Sequence, residues 1–192
     1  MKKQFKQIER ERYYKTGRKS LNEDQVKKLL SAITELRHLG LFQAAIATGI
    51  RRADIVALKI ADFERATRKL TFYERKKRRT RTIYLSNEVA NTLEMIINSD
   101  RKQEYFFPGN SDGHMSSKTA YNILQKYLKK ADLDQRPFHA LRATCIKLCQ
   151  KRGWKPEETA ELIGDSLKVI QAHYTIPSSD EMAEVTKEKA IL

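Results

Sequence analysis

A histidine and an arginine stand three residues apart at His139 and Arg142, and a tyrosine, Tyr174, closes a later helical stretch. Those side chains together suit one chemistry, the attack of a phenol on a phosphodiester, in which a base takes the phenolic proton and cations hold the phosphate charge. A second arginine, Arg51, falls at the junction of two helical stretches, where a rigid element beside the core could carry a preorganised phosphate clamp. Between these positions runs Arg75-Lys76-Lys77-Arg78-Arg79-Thr80-Arg81, six cations in seven residues. Such a run is a poor neighbour for anything except phosphate, and it is dense enough to make binding depend on salt.

The elements that must position these residues follow from pattern. Ser20 or Asn22 caps a first helix whose stripe is Val26, Leu29, Leu30 and Ile33. Residues 36–47 are apolar almost throughout and so form a central core helix, stopped by Thr48-Gly49. Residues 51–58 continue helically with Ile55 and Leu58 inward. Residues 70–73 and 82–85 carry the β-branched and aromatic residues of a hairpin, with the basic run at its tip. Ser86 caps a helix to about residue 98. Residues 105–108 form a short strand or turn, and 109–116 a loop that holds an exposed, unpartnered His114. An amphipathic helix runs from Ser116 or Ser117 to residue 131, followed by one over 140–151. Pro156 opens the next helix and Gly164 ends it, and Ser166 caps a short helix presenting His173 and Tyr174. The tail is weakly amphipathic, with Met182, Val185, Ile191 and Leu192 free to dock on its own core or on a neighbouring subunit.

Composition narrows the partner. The chain has 192 residues and a formal net charge of +14, which points to a polyanion, nucleic acid before a membrane surface. No apolar run is long enough to span a membrane, no signal core follows Met1, and the basic residues form no amphipathic stripe, so a cytoplasmic protein is expected. Cys145 and Cys149 share a helix face, but without a second Cys or His pair they do not complete a zinc site and read as buried thiols. Residues 1–20 form a basic segment without apolar period, either a solvated leader or an arm lying along DNA phosphates.

Taken in order, several motifs resemble the tyrosine recombinase, or phage integrase, family. Thr48-Gly49-Ile50-Arg51 followed by Ala53-Asp54-Ile55 and Leu58 is similar to its first arginine box. The hairpin with Lys76 is similar to the one that carries its lysine, His139-Ala140-Leu141-Arg142 is its H-x-L-R box, and Leu162-Ile163-Gly164-Asp165-Ser166 through His173-Tyr174-Thr175 is its L-G-H-S box and nucleophile. The resemblance covers residues 21–175. It implies an α+β catalytic domain over residues 21–176, mainly α-helical with a small antiparallel sheet or hairpin, and a tail over 177–192 exchanged between subunits.

The resemblance also implies roles. Tyr174 attacks the scissile phosphate to form a 3′-phosphotyrosyl bond, Arg51 and Arg142 bind the non-bridging oxygens, and His139 handles the tyrosine proton. A hairpin lysine, Lys76 in preference to the adjacent Lys77, protonates the leaving oxygen. Arg75, Lys77, Arg78, Arg79 and Arg81 are expected on duplex DNA. Neither metal nor cofactor is implied, and the assembly expected on two sites is a tetramer.

Two features depart from the family. Asp165 stands where the family usually has histidine, and a carboxylate about 4 Å from a phosphate costs roughly 4 kcal/mol at an effective dielectric near 20. It must be protonated, turned away or paired with an arginine, unless it merely caps the helix after it. About twenty residues precede the catalytic segment, as in a short member or a catalytic fragment of a longer integrase. The expected function is a site-specific recombinase that cuts and rejoins duplex DNA. The alternative is a catalytically impaired regulator that keeps the fold and binds DNA.

Overall fold

Asn22 starts the first helix, α1 (Glu23–Ala32), by a reciprocal cap: its side chain accepts the Gln25 N–H at 2.8 Å, and the Gln25 side chain accepts the Asn22 N–H at 3.0 Å. The computed structural model describes residues 20–109, 113–174 and 179–189. Most of the basic leader therefore lies outside the described residues, as do Thr175 to Ser178, Ile191 and Leu192.

The next helix, α2 (Leu36–Thr48), is buried along nearly its whole second half and forms the centre of the molecule. Gly40 lets it approach the helix α4 (Asn87–Ser99), since a Cβ there would collide with Ile96. Gly49 ends α2 at φ +60°, in the left-handed region, and the chain turns through the buried Ile50 into a single helical turn, α3 (Arg52–Ile55). The expected helix over 51–58 is shorter because residues 56–58 turn away to let Leu58 accept from Phe106 and Lys59 bridge to Tyr105.

A three-stranded antiparallel sheet follows, in the order β1 (Phe63–Glu64), β2 (Lys69–Glu74) and β3 (Arg79–Tyr84). Its strands extend further into the basic run than expected, with Glu74 opposite Arg79 and a tip consisting of the 3₁₀ turn Arg75–Lys77 and Arg78. Alternation along β2 turns Leu70, Phe72 and Glu74 inward, and along β3 it turns Arg81 and Ile83 inward. The helices α4 and α5 (Ser117–Lys130) are capped by Ser86 and Ser116, and then come α6 (His139–Lys151), α7 (Pro156–Ile163), α8 (Leu167–Tyr174) and α9 (Ser179–Glu188).

Two hydrophobic clusters result. The larger gathers α1 to α5, the inner sheet face and the Phe138 end of α6 around Phe42, Phe106, Phe107 and Tyr127. The smaller joins the rest of α6 to α7 and α8 through Ile146, Ile163 and Ile170, with Cys145 and Cys149 buried in it as free thiols. Thus α6 belongs to both clusters. Thr144 in its middle accepts the Leu21 N–H at 2.8 Å, tying the residues just before α1 to the same helix.

Candidate active site

The site forms at the seam between these two clusters, where four elements bring charge together. Arg51 emerges immediately after the Gly49 turn, at the N-terminal end of α3. Arg142 lies one turn inside α6, its side chain 3% exposed, and donates from Nη1 to the Gly49 carbonyl at 2.5 Å. Gly49 thereby anchors Arg142 and turns the chain toward Arg51. A Cβ on it would also strike Ile163 of the smaller cluster.

Asp165 enters from the opposite side. Gly164 ends α7 at φ +73°, and the next residue aims its carboxylate between the two guanidinium groups. Oδ1 accepts from Arg51 Nη2 at 2.7 Å and Oδ2 from Arg142 Nη2 at 2.6 Å. Lys77 adds its ammonium 3.3 Å from Oδ1, and the same Nζ donates to the Gly164 carbonyl at 2.5 Å. Burial would raise the Asp165 carboxyl, but the hydrogen bond and charge of Arg142, then Arg51 and Lys77, outweigh it and hold the group below its ordinary value. Of the states open to this residue on sequence grounds, the structure shows the paired one, with both arginines at once.

Behind Arg51 lies a second carboxylate. Glu74, 1% exposed at the end of β2, takes Arg51 Nη1 on Oε1 and Arg79 Nε on Oε2 at 2.9 Å, and Arg81 Nη1 stands 3.9 Å away. Burial pushes its carboxyl up, and the arginines more than reverse that, Arg79 first, leaving it below the ordinary range.

Arg81, expected on DNA, is engaged within the chain. It faces inward on the same side of β3 as Ile83, its side chain 8% exposed, and donates to the last carbonyls of α7: Glu161 and Leu162 at 2.9 Å and Ile163 at 3.2 Å. It thereby caps the C-terminal end of α7. Gly164 is required beside it, since a Cβ there would overlap the Arg81 guanidinium.

The remaining expected residues divide. Arg75 and Arg78 are exposed at the tip, and Arg79 is half-exposed and turned toward Glu74. Lys76 is exposed, while Lys77 reaches the Asp165 cluster. His139 begins α6 on the same helix face as Arg142, one turn away, and is exposed. Tyr174 is the last residue of α8. His114, expected to be alone, lies 3.3 Å from Arg75 Nη2 through Nε2. Among the described residues, no group of three or more His, Cys, Asp or Glu side chains could hold a metal ion, and no helix is long and apolar enough to cross a membrane.

Residues 19–180 match the Phage integrase family. The chain belongs to this family. Among the relatives of this integrase-family chain, Tyrosine recombinase XerA of Saccharolobus solfataricus is 24% identical over 170 residues, covering 88% of this chain and 56% of that protein. The crystal structure of XerA recombinase shares its fold at a TM-score of 0.78 and 20% identity, over 90% of this chain and 66% of that one. XerH site-specific recombinase, in a pre-cleavage complex bound to difH substrate, does so at a TM-score of 0.71 and 19% identity, over 88% and 53%. The integrase-family chain thus spans less than two thirds of the length of these relatives. The fold expected from sequence, mainly helical with a small antiparallel sheet, is the fold these proteins share.

Proposed function

We propose that the chain is a site-specific recombinase that cuts and rejoins duplex DNA through a 3′-phosphotyrosyl bond at Tyr174. One observation carries this reading: Arg51, Arg142 and Lys77 converge on a single anion seat, in which the Asp165 carboxylate gives one oxygen to each guanidinium. A phosphodiester offers two non-bridging oxygens to the same pair of donors, and planar guanidinium groups suit that arrangement. In the proposed reaction the scissile phosphate displaces Asp165. The Tyr174 oxygen then attacks phosphorus while His139 takes the phenolic proton. The bond from phosphorus to the 5′ oxygen breaks, and Lys77 supplies the proton that this oxygen needs; its contact with Asp165 supports it over the exposed Lys76. Rejoining is the reverse, with a 5′-hydroxyl attacking the phosphotyrosine, so the energy of the broken bond is kept and no cofactor is consumed.

Duplex DNA is the proposed partner, gripped in addition by the exposed Arg75 and Arg78. A tetramer on two sites is the proposed assembly, and the cytoplasm the proposed setting. The test is a nicked duplex whose short 5′-hydroxyl fragment diffuses away after cleavage and traps the intermediate. Wild type is expected to give a covalent adduct on a denaturing gel, and Tyr174→Phe to bind the duplex without one. An adduct in Tyr174→Phe would remove the tyrosine from its role, and binding without any adduct in wild type would make the chain a DNA-binding regulator instead.

A further inference from the structure

Glu74 has no part in the chemistry proposed above, yet it meets three cations, as Asp165 does, and is far more deeply buried. It is buried, it ends strand β2, and it meets three arginines from two directions: Arg51 from the α2–α3 junction, Arg79 across the hairpin, and Arg81 from further along β3. Arg51 is consequently held on both sides, by Glu74 at Nη1 and by Asp165 at Nη2. The two carboxylates are not equivalent. Asp165 is 18% exposed and sits in the seat a phosphate would take, whereas Glu74 is 1% exposed and lies behind the arginine. A phosphate taking the place of Asp165 on Nη2 would leave the Glu74 contact at Nη1 in place.

Glu74 also immediately precedes the turn Arg75–Lys77. The residue that holds Arg51 is therefore part of the strand that carries Lys77 to the anion seat. Through Arg81 it is joined as well to the end of α7, one residue before Gly164 and two before Asp165.

Resting on the recombinase reading, we propose that Glu74 is a positioning residue that acts through Arg51: it fixes one edge of the guanidinium so that the other meets the scissile phosphate, and it locks the lysine hairpin to the same arginine. A carboxylate is needed there because a buried guanidinium left without its partner turns toward whatever anion or water it can reach, and a small misplacement of a charge-stabilising group is costly to rate.

The experiment compares wild type, Glu74→Gln, Arg51→Ala and the double variant on two nicked duplexes, one with the ordinary scissile phosphodiester and one with a neutral methylphosphonate there. The methylphosphonate carries no charge for Arg51 to neutralise. On the ordinary duplex, Glu74→Gln is expected to form adduct about a hundredfold more slowly at saturating DNA, with affinity changed less than about threefold. On the methylphosphonate its rate is expected to fall within a few-fold of wild type, and in the Arg51→Ala background Glu74→Gln is expected to cause no further loss. Where Glu74→Gln is too unstable to assay, Glu74→Asp keeps the buried charge but withdraws it from Arg51, and the same pattern is expected. An undiminished rate on the ordinary duplex, or an equal loss on both duplexes that multiplies with Arg51→Ala, overturns the role. Absence of adduct in wild type overturns the recombinase reading instead, so the two failures are distinct.

Discussion

Asp165 carries two opposed consequences. It neutralises Arg51, Arg142 and Lys77 at the seam of the two clusters, and in the proposed reaction it would compete with the scissile phosphate for the same donors. Asp165→Asn is therefore expected to lower the melting temperature and, in the same protein, to tighten binding of a duplex about tenfold, equal to about 1.4 kcal/mol. Scanning calorimetry and a binding titration at one salt concentration check the pair; a variant more stable than wild type, or one that binds DNA less tightly, contradicts it. The pH dependence has a definite sign. The Asp165 carboxyl is held below its ordinary value in the folded chain, so its contribution is complete above the unfolded value of about 3.9 and is lost as pH falls through the folded one. The stability gap between wild type and Asp165→Asn should accordingly close on acidification below about pH 4. The lysines make a separate prediction. Replacing the bridging 5′ oxygen with sulfur gives a leaving group that needs no proton, so Lys77→Ala should lose roughly 10²-fold or more on ordinary DNA and recover on the sulfur-bridged duplex. If Lys76→Ala shows that pattern and Lys77→Ala does not, the acid is Lys76. Sequence alone singles out Arg51, His139, Arg142, Asp165 and Tyr174, but adjacent lysines at a turn differ in direction by a few backbone angles, which spacing does not encode.

At the scale of elements, the hairpin is where sequence and structure part most. A run of six cations in seven residues reads as one loop, since charge masks the strand pattern. The strands nevertheless persist to Glu74 and from Arg79, and the signal is the period of two: Leu70 and Phe72 point to Glu74, and Ile83 points back to Arg81. An inward carboxylate and an inward arginine facing one another's strands are the trace of the network that charge counting misses. The helices were legible because caps and glycines mark them: Asn22, Ser86 and Ser116 at starts, Gly49 and Gly164 at ends. Strand β1, of two residues, is too short to leave a pattern. The two arginines of β3 and its tip should separate cleanly. Arg81→Ala leaves the end of α7 uncapped and takes a cation from Glu74, so a loss of about 3 kcal/mol of stability is expected, measured by denaturant unfolding. Arg78→Ala, exposed at the tip, should leave stability within about 0.5 kcal/mol and lower the salt dependence of DNA binding by about one unit of slope. The reverse assignment of these effects would mean that Arg81 is the DNA contact.

For the molecule as a whole, the seam is the organising feature. The larger cluster carries Arg51 and the hairpin, the smaller carries Asp165 and the helix ending in Tyr174, and α6 runs through both with His139 and Arg142 on one face. This division was not legible in the sequence, because the apolar stripe of α6 looks the same whichever cluster receives each residue, whereas the net charge of +14 and the order of the motifs were legible at once. A seam site also explains why residues so far apart in the chain must arrive together: Arg51 and Asp165 are 114 positions apart and meet on one pair of atoms. In the proposed reaction this seat receives a scissile phosphate and delivers it to Tyr174. The most direct measurement is mass spectrometry of the peptide joined to DNA after wild-type protein is incubated with a nicked attachment-site duplex and digested. A nucleotide linked through phosphate to Tyr174 is the expected result. Linkage at any other residue, or no linked peptide from a protein that binds the duplex, contradicts the account.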